Sequence, residues 1–498
     1  MKTTACLWFG CRYILQPFLI CLGFIIGGPF ARVDAYAQKI QYASKVLKYS
    51  SDLGGKINSI NRILGKPNAF PQGGENANTW APKDANLPGF VELAFAEAQM
   101  VKQIAIFENL NAGAVNKVML GDGNGKYKTV DKKASGIVLW TQKLARKGDA
   151  QRAYYFNRKR RKIELADVVD QNPDITYILL DEAMPDIKSI RIEFNFPSIK
   201  GRKQIDAVAI SDSEELIVPE IDTLSYQTAL KTPQVLLSTQ TVETGFSTLF
   251  LAGDYLYFTE FREDKSGATF KYHIPTATNP INLTQQLGFK NPYLNLFLGY
   301  SPITQEVILG DVLKLGRNSV NGFYLYKLEG DQLNYLRPLT VTAYNNYGDY
   351  SDMYLSTDAS QLLIGMESDQ TQGGFDIYRS LRKEDGNFGI IENIGKHINS
   401  AGDEISPFLL SDQKTLLFSA NAYSGFGDFD LYVSTRLDDT WKNWSSPKNL
   451  GSLVNSSSFE FSPVYDEQNQ VLYYISNQQG RNVIKRVALA LADLQNSK

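Results

Sequence analysis

Apolar and polar positions in the second half of the chain recur with a period near 52–54 residues. The clearest copies are residues 404–434 (EISPFLLSDQKTLLFSANAYSGFGDFDLYVS) and 350–380 (YSDMYLSTDASQLLIGMESDQTQGGFDIYRS). A third, 460–487 (EFSPVYDEQNQVLYYISNQQGRNVIKRV), ends in a diverged strand. Each copy reads as an outer strand near a proline (447–450), a strand into a polar turn (461–466), a strongly apolar strand, and a Gly-bearing turn into a last strand. The apolar strands are predicted at 255–258, 307–309, 361–364, 415–418 and 471–475. The last strands carry Tyr272, Tyr326, Tyr378 and Tyr432, with Ile484 near that place in the fifth copy. A fixed period of this size means small units that cannot bury their apolar faces alone. Four strands per unit is one blade of a β-propeller. Residues 234–238 form an outer strand ahead of any complete blade, so the simplest closure pairs it beside the last one. This favours five blades, with a sixth built partly from 214–231 as the alternative.

Residues 38–213 do not repeat. A short helix is predicted at 57–64, followed by a turn-rich segment through Trp80. Strands are predicted at 90–95, 101–108, 114–120, 137–140, 176–180, 189–196 and 205–210. Several alternate apolar with polar residues, as in Lys188-Ser189-Ile190-Arg191-Ile192-Glu193-Phe194. Short strands separated by Gly, Asn and Asp turns point to a β-sandwich or jelly roll. The resulting division is 1–37 signal peptide, 38–213 β-sandwich, 214–231 linker, 232–490 propeller and 491–498 C-terminal tail.

Composition narrows the function class. The 498 residues are 43% hydrophobic and 21% charged, which is globular rather than disordered. A formal net charge of -2 offers no basic excess for nucleic acid. Lys2 and Arg12, the interrupted apolar stretch 13–30 and the small-x-small site Ala35-Tyr36-Ala37 read as an export signal. An uncleaved anchor is the competing reading. Phe18-Leu19-Ile20 before Cys21 lacks the small residues of a lipoprotein signal, so no lipid anchor is expected. Cys6, Cys11 and Cys21 all fall in this segment, leaving a mature chain without thiols. No later segment is apolar enough to span a membrane. His273 and His397 lie in different repeats, which disfavours a two-His metal site.

Candidate chemistry is sparse. Residues 146–162 (RKGDAQRAYYFNRKRRK) interleave Arg146, Arg152 and Arg158 with Tyr154 and Tyr155. They could form a patch for an anionic glycan, a lipid headgroup or nucleic acid, the last disfavoured by export; a solvated loop or strand pair is the preferred reading. Trp441 and Trp444 share one connection and suit either a sugar-stacking platform or blade packing. Ser356-Thr357-Asp358 and Ser411-Asp412 resemble the Asp-box turns of sialidases, but Asp and Ser here serve as turn caps. Asp122-Gly123-Asn124-Gly125 has the oxygen spacing of a calcium loop without its later Glu, so a hairpin turn is preferred. No cofactor is expected, although structural calcium elsewhere in the first domain stays open. Acidic pairs such as Asp403 with Glu404 and Asp428 with Asp430 fall at repeat-equivalent turns and read as blade architecture rather than acid/base pairs. There is no nucleophile elbow, phosphate loop or zinc spacing.

The repeat resembles the WD40-like PD40 repeat of bacterial envelope proteins, related to the TolB-type propeller. The matching residues are Glu404-Ile405-Ser406-Pro407, Ser411-Asp412, Leu416-Leu417-Phe418-Ser419 and Asp428-Phe429-Asp430-Leu431-Tyr432, echoed by Glu460-Phe461-Ser462-Pro463 and Phe375-Asp376-Ile377-Tyr378. The first domain is similar to the discoidin-like, galactose-binding-type module that precedes such repeats in OmpA-family proteins of Bacteroidetes-like bacteria. Residues 63–68, 80–83, 101–115 and 204–213 carry that similarity. Those relatives usually continue into an OmpA-like peptidoglycan-binding domain. The sequence here ends at Lys498 after the last repeat, so anchoring through that domain is expected to be absent.

The sequence therefore predicts an all-β, exported, non-enzymatic envelope protein. A discoidin-like sandwich precedes a PD40 propeller of five blades, six being the alternative. The propeller would bind envelope proteins and the sandwich a glycan or second protein, in the periplasm or at the outer membrane. Trp80 and the basic aromatic stretch are the first residues to test for glycan binding. The alternatives are a carbohydrate-active enzyme with acidic residues at the propeller centre, and an accessory component of a secretion or gliding complex.

Overall fold

The computed structural model describes residues 38–130, 137–139, 154–156, 162–164, 173–239, 245–261, 267–284, 296–310, 322–330, 332–348, 350–478 and 480–496. The expected signal segment, 1–37, lies outside them. No helix among the described residues is long and apolar enough to cross a membrane.

The first domain is built on two long antiparallel strands, Gly89–Glu108 and Asp174–Phe194, paired from Gly89 opposite Phe194 to Glu108 opposite Asp174. The sequence pattern predicts two strands in each of these regions. The structure runs them together, because register shifts between Ala94 and Gln103 let the strand bend without leaving its partner. Ala96, Glu97 and Ala98 are exposed at the bend, between the two strands predicted at 90–95 and 101–108. The bend folds the sheet over one core. Val91 and Leu93 from one arm meet Ile104 and Ile106 from the other, with Ile178, Leu180, Ile190 and Ile192 from the partner strand. Ala207–Ser211, Ile40–Tyr42 and Lys45–Tyr49 extend one side, while Val115–Gly121, Tyr127–Thr129 and Ile137–Leu139 extend the other. The helix predicted at 57–64 shrinks to one 3-10 turn, Ile60–Ile63, that buries both isoleucines.

The second half is a propeller of five four-stranded sheets. Blade 1 spans 245–282, blade 2 296–339, blade 3 352–393 and blade 4 404–449. Blade 5 takes Glu460–Asp466, Val471–Gln478 and Arg481–Ala488, and its fourth strand is Gln234–Ser238. Val235 stands opposite Lys485 and Leu237 opposite Ile484. The early strand thus closes the ring as its unpaired position predicts, and it covers the outer edge of Arg481–Ala488. The predicted tyrosines sit in third strands against an apolar residue of the second: Tyr272 opposite Leu256, Tyr326 opposite Val307, Tyr378 opposite Ile364 and Tyr432 opposite Phe418. All four are buried, as is Ile484 opposite Ile475 in blade 5.

No sixth blade forms among the described residues. Residues 214–231 instead run along existing structure. Thr223 bridges Asn449 in parallel, the Leu224 N–H donates to the Asn449 carbonyl at 2.8 Å, and Lys448 pairs with Asp222 at 2.7 Å. This stretch therefore lies on the outer edge of blade 4. Residues Leu491–Gln495 form a short helix whose Leu494 is fully buried, and Asp493 accepts the Gln227 N–H at 3.1 Å.

The first domain touches blades 3 and 4 at one end of the propeller. Lys56 Nζ donates to the Thr371 carbonyl, and Ser424 Oγ donates to the Phe70 carbonyl. Phe70 is held by Asp206, whose fully buried carboxylate accepts the N–H groups of Asn68, Ala69 and Phe70 at 2.8, 2.8 and 3.2 Å.

Candidate functional site

The inner strands of the five blades stand in a ring, and each seam between neighbours carries a hydrogen bond from a side chain. Ser462 Oγ accepts the Leu249 N–H at 2.9 Å, joining blade 5 to blade 1. Thr259 Oγ1 accepts the Phe297 N–H at 3.2 Å between blades 1 and 2. Ser301 Oγ donates to the Thr357 carbonyl at 2.7 Å between blades 2 and 3. Asp352 accepts both the N–H and the hydroxyl of Ser406, the latter at 2.9 Å, between blades 3 and 4. Ser419 Oγ donates to the Glu460 carbonyl at 2.5 Å between blades 4 and 5. These bonds fix the hub and leave a cavity of about 580 Å³ inside it.

Every blade contributes an aromatic ring to the cavity: Phe250, Tyr300, Tyr354, Phe408 and Tyr465. Phe250 stacks on Tyr300 with centroids 5.0 Å apart, and Tyr354 leans on Phe408 at 4.8 Å. Tyr354 and Tyr465 are oriented by hydroxyls that donate to the Leu409 and Leu489 carbonyls, both at 2.6 Å. Asp352 also lines the cavity and is 2% exposed. Burial pushes its carboxyl up to about 6, against the two donors from Ser406. Asp254, Asp466 and Glu467 lie in the turns around the mouth. Glu467 accepts the Ser411 N–H and hydroxyl, each at 2.6 Å, and Asp466 accepts from Asn469 at 3.0 and 2.8 Å.

The cavity is lined by turns joining first to second strands, such as Gly253-Asp254, Thr357, Ser411 and Asp466 to Asn469. The first domain instead touches Thr371 and Ser424, which lie in turns joining second to third strands. In an antiparallel blade these two sets of turns are at opposite ends. The described residues of the first domain therefore leave the mouth uncovered.

The acidic residues within the blades have structural partners. Asp376 accepts the Gln372 N–H at 2.8 Å and Asn393 Nδ2 at 2.6 Å, while Asn399 bonds Asn393 and both backbone groups of Ile377. Blade 4 repeats the network with Asp430, Asn449, Asn455 and Leu431. Glu460 accepts from Ser456 and Ser476, and Glu404 accepts the Ser400 N–H at 2.8 Å. The polar turns are likewise capped internally: Asp358 accepts the Ser356 and Ser360 hydroxyls, and Asp412 accepts the Lys414 and Thr415 N–H groups. Asp122 accepts the Asn124 N–H at 2.8 Å in a hairpin turn between Val115–Gly121 and Tyr127–Thr129. Among the described residues no cluster of three or more His, Cys, Asp or Glu could hold a metal ion.

Of the sequence-predicted ligand residues, Trp80, Trp441 and Trp444 do not line the mouth. Trp80 is fully buried in the first domain, its ring 5.8 Å from Phe194 and 6.0 Å from Phe196 by centroids, with Nε1 donating to the Ser51 carbonyl. Trp441 and Trp444 meet edge to face at 5.6 Å, but both are buried. The guanidinium groups of Arg379 and Arg436 lie 4.1 and 4.9 Å from the Trp441 ring, so blade packing occupies it. Tyr154 and Tyr155 fall in the strand Tyr154–Phe156, paired with Lys162–Glu164. Arg146, Arg152 and Arg158 lie outside the described residues. The cavity residues went unmarked in the sequence because one aromatic per inner strand also looks like core. Their recurrence once in each repeat was the available signal.

No known family model matches the chain, and no curated protein does either. Solved structures give weak likenesses. An α-L-arabinofuranosidase from Fusarium graminearum is 10% identical over 54% of this chain and 99% of its own, with a TM-score of 0.35. An endo-arabinase from Bacteroides thetaiotaomicron is 11% identical over 54% and 97%, with a TM-score of 0.34. A prolyl endopeptidase is 11% identical over 50% of this chain, with a TM-score of 0.25, and only 34% of its own length is matched. Those three are enzymes; no residue of this chain takes a role from them.

Proposed function

We propose that this chain is an exported, non-enzymatic envelope protein that acts as a binding scaffold. The propeller takes a protein partner at its open mouth, and the first domain takes a glycan or a second protein. The observation that carries this reading is the cavity lined by one aromatic residue from each of the five blades, at the end the first domain leaves free. Rings on a closed, hydrogen-bonded hub are already ordered, so a partner binds with little loss of side-chain freedom. The resemblance to PD40 and discoidin-like envelope proteins agrees with a place in the periplasm or at the outer membrane. It also agrees with a role as an accessory component of an outer-membrane secretion or gliding complex.

Cross-linking of the full chain in intact envelopes tests the binding reading. A discrete adduct with another protein is expected. It should disappear when Tyr300 and Phe408 are both replaced by Ala in a variant whose melting curve remains cooperative. No adduct from the wild type, or an adduct that survives the double replacement, would overturn it.

Asp352 favours one second reading, a carbohydrate-active enzyme. A buried carboxyl near 6 lining a cavity suits general acid chemistry. Glycoside cleavage would need a second carboxylate in register with it. Release of reducing ends from envelope or plant polysaccharides, lost in Asp352→Asn, would establish this reading; inertness across such a panel would remove it.

A further inference from the structure

The charge of the mouth is one-sided. Asp254, Asp352, Asp466 and Glu467 line the cavity, and among the described residues no Lys, Arg or His does. The donors that hold Asp352, Asp466 and Glu467 are neutral groups of Ser406, Asn469 and Ser411. Asp352 adds a separate signal. It is 2% exposed, one oxygen is taken by Ser406, and Oδ1, which lies beside Gly365, has no hydrogen-bond partner among the described residues. A buried carboxylate oxygen without a donor is costly. The surrounding rings of Tyr300, Tyr354 and Phe408 are only partly buried, and aromatic faces attract cations.

We infer that the propeller mouth binds a Lys- or Arg-bearing segment of its protein partner, with the cationic side chain entering the cavity among these rings and carboxylates. The inference rests on the binding reading above and specifies its partner. A cationic head answers the uncompensated carboxylates, and its methylene stem suits the aromatic walls. About 580 Å³ is room for a side chain with its flanking backbone, within the size range of sites that enclose drug-sized ligands. Exposed Gln468 and Asn469 at the rim offer amides to the partner's main chain. An acidic glycan or acidic peptide would meet like charge and be excluded.

The test uses the full chain and four labelled pentapeptides of one frame, with Lys, Arg, acetyl-lysine or Glu at the centre. Lys and Arg peptides should bind saturably and at least tenfold more tightly than the acetyl-lysine and Glu peptides, and added salt should shrink the difference. Asp352→Asn and Glu467→Gln should each reduce it, while Asp385→Asn, in the outer hairpin of blade 3, should not. Glu467 sits at the rim, so its replacement keeps the test valid if Asp352→Asn loosens the hub. Equal binding of Lys and acetyl-lysine peptides, or no binding by any peptide, would overturn the inference. If charge makes no difference but the Tyr300/Phe408 variant still loses its cross-linked adduct, only the cationic choice fails. If the wild-type adduct is absent as well, the binding reading fails with it.

Discussion

Ser462 Oγ accepts the backbone N–H of Leu249 at 2.9 Å, across 213 residues of chain. Both residues are buried, and the bond fastens the last blade to the first. Ser462→Ala leaves that buried N–H without its side-chain acceptor. A cost of about 1–3 kcal/mol is expected. Urea unfolding should show a lower midpoint with an unchanged slope, because the same surface is still exposed on unfolding. An unchanged midpoint would mean that the seam is held without this bond.

Glu404 and Glu460 are the first inner-strand residues of blades 4 and 5. Glu460 faces Ser476 across the sheet and accepts its hydroxyl at 2.7 Å. Glu404 faces Ala420, and among the described residues its Oε1 has no partner. Burial drives the Glu404 carboxyl well above its usual range. Ala420→Ser copies blade 5 into blade 4 and should stabilise the protein by about 1 kcal/mol. A loss of stability in thermal unfolding would show that the pocket has no room for the hydroxyl.

Gly373 and Gly427 occupy matching turns of blades 3 and 4, each pressed against backbone of the next blade. A Cβ at Gly373 would lie 2.3 Å from the Gly402 carbonyl oxygen, and one at Gly427 would lie 2.2 Å from that of Ser458. Neither backbone atom can swing aside as a side chain could. Gly373→Ala and Gly427→Ala should each cost roughly 3 kcal/mol. The same replacement at Gly451, which has open space around it, meets no clash but must adopt a φ of +78°. Its cost should be smaller, near 1 kcal/mol. Equal losses at all three positions in denaturant titrations would contradict the packing argument.

Four buried carboxyls shift with one sign. Burial pushes Asp206 and Asp430 up to about 7, and Asp352 and Asp376 up to about 6. Each holds its proton more tightly in the folded chain than in the unfolded one. Their contribution is complete below pH about 4 and is lost as pH rises through 6–7. Asp358, Asp412 and Glu306 shift downward through hydrogen bonds, so their stabilisation is instead lost below about pH 4. Unfolding midpoints should therefore fall from pH 5 to pH 8, less steeply in Asp430→Asn. A midpoint that rises over this range would refute the assignment.

The repeat was readable because its chemistry is local. Tyr272, Tyr326, Tyr378 and Tyr432 mark third strands whatever surrounds them, and the lone strand at 234–238 had one place to pair. Features set by distant contacts were not readable. Glu97 and its neighbours separate two predicted strands, yet register shifts keep Gly89–Glu108 continuous. Trp80 in a turn-rich segment could face solvent or core, and Phe194 and Phe196 decide it. Trp441 and Trp444 were equally open until Arg379 and Arg436 were seen against one of them. The candidate site was the least visible feature. Asp352 and the five aromatic residues converge only when the ring closes, since each comes from a strand that looks like ordinary core.

The most direct test of recognition at the mouth is a photo-cross-linking scan of the full chain in intact envelopes. A photoreactive residue would be placed at Thr357, Gln468 or Asn469 around the cavity, and at Lys327 or Glu392 on outer parts of blades 2 and 3. Discrete protein adducts from the cavity positions and none from the outer ones are predicted. Adducts from the outer positions alone, or none from any position, would contradict the account.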